Sequence, residues 1–129
     1  LIGIFIAELT TQNLHDFSYN PKIINLSGTF ENGAKGWLPY FVSKRALEDL
    51  TIGLAEELKD KDIQVNAISP SDTATKAYKK YFPQYINEAI GHEEIAKCAL
   101  YLCSPEADIV TGKVFVLKKG QEPREGYHS

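Results

Sequence analysis

Hydrophobic and polar positions alternate along this chain in blocks with different periods. Apolar residues at Ile2, Phe5, Ile6, Leu9 and Leu14 recur mostly at three and four, so residues 1–17 are expected as a helix. Tyr19-Asn20-Pro21 closes it, because a residue before proline is biased out of the α region. Lys22-Ile23-Ile24-Asn25-Leu26-Ser27 is a β-branched run and reads as a buried strand. Thr29 to Pro39 has no period and holds Gly33, Gly36 and Pro39, so it reads as a loop. From Tyr40 to Lys59 the helical period returns, with Phe41, Leu47, Leu50, Leu54 and Leu58 as one stripe and Val42, Ala46 and Ile52 widening it. A helix apolar over so much of its circumference is expected to have at least two neighbours.

Ile63 to Ile68 forms a second short apolar run, ended by Ser69-Pro70. Residues 73–90 are polar and aromatic, with Tyr78, Tyr81, Phe82 and Tyr85 interrupted by Pro83, which predicts short helices over a cleft. His92 to Cys103 is amphipathic, with Ile95, Ala99 and Leu102 on one side, and Ser104-Pro105 stops it. Thr111-Gly112 introduces a third strand, Lys113 to Leu117, and the polar tail from Lys118 is expected to fray. Helices separating strands at these intervals imply right-handed parallel crossovers, hence an α/β fold, a doubly wound parallel sheet covered on both faces.

The 129 residues, 43% hydrophobic and 24% charged, suit one packing unit and no second domain. A net charge of −3 gives no general attraction to phosphate backbones or anionic lipid, so nucleic acid and membranes are not expected as partners. The opening run Leu1 to Ala7 falls short of the about 20 apolar residues that span a bilayer and lacks a basic flank. Cys98 and Cys103 form no C-x-x-C pair and are expected as buried thiols in a reducing, cytoplasmic setting. The sequence has no Met, which suggests a processed, truncated or partial product.

Tyr40 and Lys44, four apart, share one helix face. A free phenol, with a pKa of about 10, exchanges protons poorly at neutral pH, and a nearby cation lowers that value. Tyr-x-x-x-Lys can therefore build a general acid/base, although a surface tyrosine stacked on a lysine stem is the ordinary reading of such a pair. Ser27 ends a buried strand, and ligands in open α/β sheets bind at the carboxyl ends of strands. The Asn66 to Pro70 segment ends the next strand at the same edge, so these termini converge on one cleft. His92-Glu93-Glu94 lacks the second histidine of a zinc helix, and its acids suit a first helical turn. His15, His92 and His128 form no triad, and no metal site is expected.

Lys22 to Ser27, Tyr40-Phe-Val-Ser-Lys44-Arg-Ala-Leu47, Leu54 to Leu58, Val65 to Pro70 and Ile109-Val-Thr-Gly112 together resemble the short-chain dehydrogenase/reductase family. The resemblance covers nearly the whole chain and implies the C-terminal portion of a Rossmann-like sheet in an oxidoreductase that interconverts an alcohol and a carbonyl with NAD or NADP. It assigns Tyr40 as proton donor or acceptor and Lys44 to the nicotinamide ribose and to lowering the Tyr40 pKa. Ser27 would orient the substrate carbonyl. Pro70, Ser71, Thr73 and Thr75 would lie against the nicotinamide and pyrophosphate, with residues 73–90 as substrate lid. It also implies a homodimer or homotetramer.

Several positions depart from the family's pattern. Ser71 replaces the usual glycine after the proline, and Gly28 holds the second place of the usual Ser-Ser pair. Ser27 keeps the usual spacing of thirteen before Tyr40, yet strand alignment points to its neighbour. The sequence has no glycine-rich dinucleotide turn, no residue that would select NAD or NADP, and no place for the family's helix asparagine except before Leu1. The chain thus resembles the C-terminal half of such an enzyme. A different reading is an inactive remnant or self-association module, motivated by the broad apolar girth of the 40–59 helix.

Overall fold

Three β-branched or apolar runs pair in parallel and form the middle of the sheet. The computed structural model describes residues 3–7, 20–30 and 34–128. Strands β1 (Gly3–Ala7), β2 (Lys22–Leu26), β3 (Gln64–Pro70), β4 (Val114–Leu117) and β5 (Arg124–Glu125) lie side by side in chain order. The β2–β3 and β3–β4 pairs are parallel, whereas β1 and β5 run antiparallel at the two edges.

Helix α1 (Leu38–Leu58) links β2 to β3, while α2 (Lys76–Tyr81) and α3 (His92–Cys103) lie between β3 and β4. Side-chain alternation separates the two helical layers. Asn25 and Ser27 bond to α1, and Gly112 packs against Ala55 of the same helix. Ile24, Ile68 and Leu117 form the buried core on the other face with Ile90 and Leu102, flanked by Ile95 and Ala99 of α3. The sheet is therefore doubly wound. The two parallel crossovers step the same way across the sheet from opposite faces, so they have opposite hands. The expectation that both are right-handed fails at one of them, where one crossover carries α2, α3 and additional turns in place of a single compact helix.

The β1 segment corrects the expected 1–17 helix over Gly3–Ala7. Ile4, Phe5 and Ile6 are strand formers, and β2 offers them a full ladder from Gly3↔Leu26 to Ala7↔Lys22. Residues 8–19, including His15, lie outside the described residues. Helix α1 begins at Leu38 because Pro39 is tolerated in a first turn. Its inward face is Lys44, Leu47, Glu48, Thr51 and Ala55, more polar than the expected stripe, while Leu50 and Ile52 remain exposed.

The tail also differs from expectation. β5 pairs with β4, and Tyr127 and His128 stack and dock on α1. The Tyr127 hydroxyl donates to Asp49, His128 Nε2 lies 3.1 Å from Asp49, and the His128 amide donates to Glu48 Oε2 at 2.8 Å. These polar partners and the β4 edge order a segment that composition alone marks as loose. Lys22 is buried on the α3 side, where it donates to Gln64 Oε1 (2.9 Å) and pairs with Asp108. No described helix is long and apolar enough to cross a membrane.

Ile68 sits in the central strand with no exposed surface. Ile68→Ala is expected to destabilise the fold by about 2–5 kcal/mol through lost burial and a residual cavity, measured as a lowered urea midpoint at unchanged m-value.

Candidate active site

The carboxyl ends of β2 and β3 open onto a cleft of about 520 Å³. Hydrogen bonds continue the parallel ladder beyond the strands, from the Ser27 amide to the Ile68 carbonyl (2.8 Å) and from the Thr29 amide to the Pro70 carbonyl (3.1 Å). This fixes Ser27, Gly28 and Thr29 opposite Pro70, Ser71 and Asp72. Tyr40, in the first turns of α1, forms a side wall between the rings of Phe30 (centroids 5.6 Å apart) and Trp37 (6.4 Å).

Lys44 lies one turn below Tyr40, its Nζ 5.6 Å from the ring centroid. The ammonium donates to the Leu26 carbonyl at 2.9 Å, and burial lowers its pKa. The phenol does not follow the expected downward direction. Burial raises the Tyr40 pKa first and the Asp72 carboxylate raises it further. A lysine that faces the ring and is bound to a backbone carbonyl does not outweigh desolvation of the phenolate.

Ser27 forms part of the cleft wall, yet its hydroxyl is turned into α1. It donates to Glu48 Oε1 at 2.7 Å, with the Lys44 carbonyl 3.2 Å away. Polarising a carbonyl requires this same proton, so Ser27 would have to release Glu48 to do so. The next position, Gly28, lines the cleft without a side chain, and a Cβ there would meet only the Phe30 ring at 3.6–3.7 Å and the Pro70 carbonyl. Glu48, fully buried, escaped the sequence reading. Its signal was its place four residues after Lys44 on the same helix face.

Beyond Pro70, Ser71 carries a buried hydroxyl with no hydrogen-bond partner among the described residues. Thr73 Oγ1 donates to the Ser71 carbonyl at 3.1 Å, and Thr75 Oγ1 caps α2 by accepting from the Tyr78 amide. Segment 73–90 runs over the cleft as α2 and a turn at Pro83–Tyr85, and Tyr78, Phe82 and Tyr85 face the opening. Its base is clasped by the Ile90 amide on the Asp72 carbonyl and the Ala74 amide on the Ile90 carbonyl, both 2.8 Å. Asp72 accepts from the Tyr78 hydroxyl at 2.8 Å, and burial together with that bond pushes the Tyr78 pKa up to about 12. Asp72 is a further residue that the sequence reading passed over. Among the described residues no cluster of His, Cys, Asp and Glu could hold a metal ion.

A parallel-dominated sheet wound on both faces, with Tyr-x-x-x-Lys at its strand ends, defines a Rossmann-like oxidoreductase architecture. Residues 9–122 match the family described as Enoyl-(Acyl carrier protein) reductase. The chain belongs to the short-chain dehydrogenase/reductase family. It is 37% identical over 94 residues to an A-factor type gamma-butyrolactone 1'-reductase (1S-forming) of Streptomyces virginiae, covering 64% of this chain and 37% of that protein. It is 31% identical over 111 residues to an acetoacetyl-CoA reductase of Rhizobium meliloti, covering 78% and 46%. In fold it resembles a 3-ketoacyl-(acyl-carrier-protein) reductase from Brucella melitensis complexed with NADH, with a TM-score of 0.67 and 24% identity over 78% of this chain and 44% of that one. The chain thus spans less than half the length of these relatives.

If the Ser27–Glu48 bond is structural, Ser27→Ala is expected to cost about 1–3 kcal/mol in urea unfolding, because it leaves a buried carboxylate oxygen unsatisfied. A hydroxyl free in the cleft would change stability by less than about 0.5 kcal/mol.

Proposed function

We propose that this chain forms the catalytic and substrate-binding half of an NAD- or NADP-dependent oxidoreductase that interconverts an alcohol and a carbonyl. One observation carries the reading: the Tyr40 hydroxyl belongs to a side chain on the wall of the strand-end cleft, with the buried Lys44 ammonium beneath its ring. Membership of an oxidoreductase family is consistent with it, as is the NADH complexed with the Brucella melitensis reductase of similar fold.

A nicotinamide cofactor, when bound, supplies hydride transfer to or from the substrate carbon. Ser71 and Thr73 are the cleft residues of this chain that would hold its nicotinamide end, joined by Thr75 at the start of α2 and by Lys44 once its ammonium leaves the Leu26 carbonyl, and the unpartnered Ser71 hydroxyl fits such a polar ligand. In the reducing direction Tyr40 gives its phenolic proton to the carbonyl oxygen. In the oxidising direction it takes the hydroxyl proton. Ser27, once released from Glu48, would polarise the same oxygen. Rings of Phe30, Trp37 and Tyr78 shield the reacting atoms from water, and segment 73–90 acts as the substrate lid.

Self-association, as a homodimer or homotetramer, is supported by the exposed Leu38, Val42, Leu50 and Ile52 of α1. The same exposure favours the second reading, an inactive self-association module. Two unpaired cysteines, Cys98 and Cys103, support a reducing, cytoplasmic setting, and burial raises both thiols, Cys98 to about 11.

With the nucleotide-binding half present, Tyr40→Phe is expected to lower turnover about 10²–10⁴-fold in steady-state assays while cofactor affinity is kept. Undiminished turnover would remove Tyr40 from the proton step, whereas no turnover in the unaltered protein would leave the inactive-module reading in place. Burial first and the Asp72 carboxylate second raise the Tyr40 pKa, so in the chain without cofactor the phenolate needed for alcohol oxidation forms less readily than from a free tyrosine. Asp72→Asn is expected to move the alkaline rise of the oxidation rate to lower pH, as read from a kcat/KM–pH profile.

A further inference from the structure

Aromatic surface is abundant around the cleft and charge is scarce. Among the described residues, Asp72 is the one charged side chain that lines it. The same cleft is lined by Trp37, Tyr40, Tyr78, Phe82 and Tyr85, with Tyr78 and Phe82 packed at 5.3 Å between centroids. Lys44 Nζ stands 5.6 Å from the Tyr40 ring centroid, but it is bound to the Leu26 carbonyl and does not line the cleft. Aromatic faces attract cations through their quadrupoles, and a carboxylate at the same opening adds a full opposite charge. The combination disfavours anionic groups and favours a cation over a neutral group of the same shape.

We propose that the cleft selects a substrate bearing an ammonium or quaternary ammonium group near its alcohol or carbonyl, with Asp72 as the specificity-determining residue. This rests on the oxidoreductase reading for what happens to the alcohol, but not for the recognition itself. The Tyr78 hydroxyl donates to Asp72 Oδ2 and holds the carboxylate in place at the cleft wall. The field of Asp72 reaches the reacting phenol, since it contributes to raising the Tyr40 pKa. A cation seated beside Asp72 would therefore offset that field and ease formation of the Tyr40 phenolate, coupling recognition to the proton step.

The test titrates choline and its neutral isostere 3,3-dimethylbutan-1-ol into the full chain, reading the fluorescence of Trp37, the sole tryptophan of the sequence. Choline is expected to bind at least about tenfold more tightly than the isostere. Asp72→Asn should reduce that ratio to near one, and Asp72→Glu should restore part of it. Circular dichroism of each variant shows that the fold is kept. Equal affinities for the two probes, or an unchanged ratio in Asp72→Asn, overturns the proposal. So does an Asp72-dependent response to 1-methylnicotinamide with none to choline, which assigns the carboxylate to the cofactor's pyridinium ring. Failure of the oxidoreductase reading is seen separately, in the turnover of Tyr40→Phe, because the titration needs no turnover.

Discussion

A polar seam between α1 and β2 holds the site together. Lys44 reaches the Leu26 carbonyl, Glu48 accepts from Ser27, and Thr51 accepts from Asn25, so three turns of one helix are bonded to the end of β2 and the residue that follows it. Every side chain that makes these bonds is buried, and a break in any of them would leave a polar group stranded in the interior. An apolar interface could slide by a turn at modest cost. This one has a single register, and that register sets Tyr40 at the mouth of the cleft.

The sheet makes the second contribution. Parallel pairing of β2 with β3 brings two carboxyl ends to the same edge, and the ladder continues through Ser27 and Thr29 onto Ile68 and Pro70. The loops that follow start from fixed points. The wall opposite Tyr40 is thus built by Pro70 to Thr73, even though these residues lie far from it in sequence.

Much of this was legible in the chain itself. The parallel strands, the long helix and the α3 boundaries follow from β-branched runs and a 3.6-residue period, and the Tyr40, Lys44 pair was visible from spacing. Other features depend on groups that periodicity does not report. Gly3–Ala7 has helical spacing, yet its β-branched and aromatic residues complete an open strand edge. The tail reads as frayed because composition records polarity but not the partners Glu48 and Asp49 that wait on α1. The direction of the Tyr40 pKa was misjudged because the i,i+4 rule places Lys44 nearby but does not say that a backbone carbonyl binds its ammonium, nor that Asp72 arrives from another strand end.

The clasp between Asp72, Ala74 and Ile90 separates two kinds of sequence. Outside it, each strand residue is tied to a partner in the sheet or on a helix. Inside it, the chain leaves and returns at nearly one point, and loop-closure cost grows only slowly with length. Residues between the ends of the clasp can therefore change in number and kind with little consequence for the sheet. The framework that places Tyr40 and Lys44 and the segment that overhangs them are free to diverge at different rates.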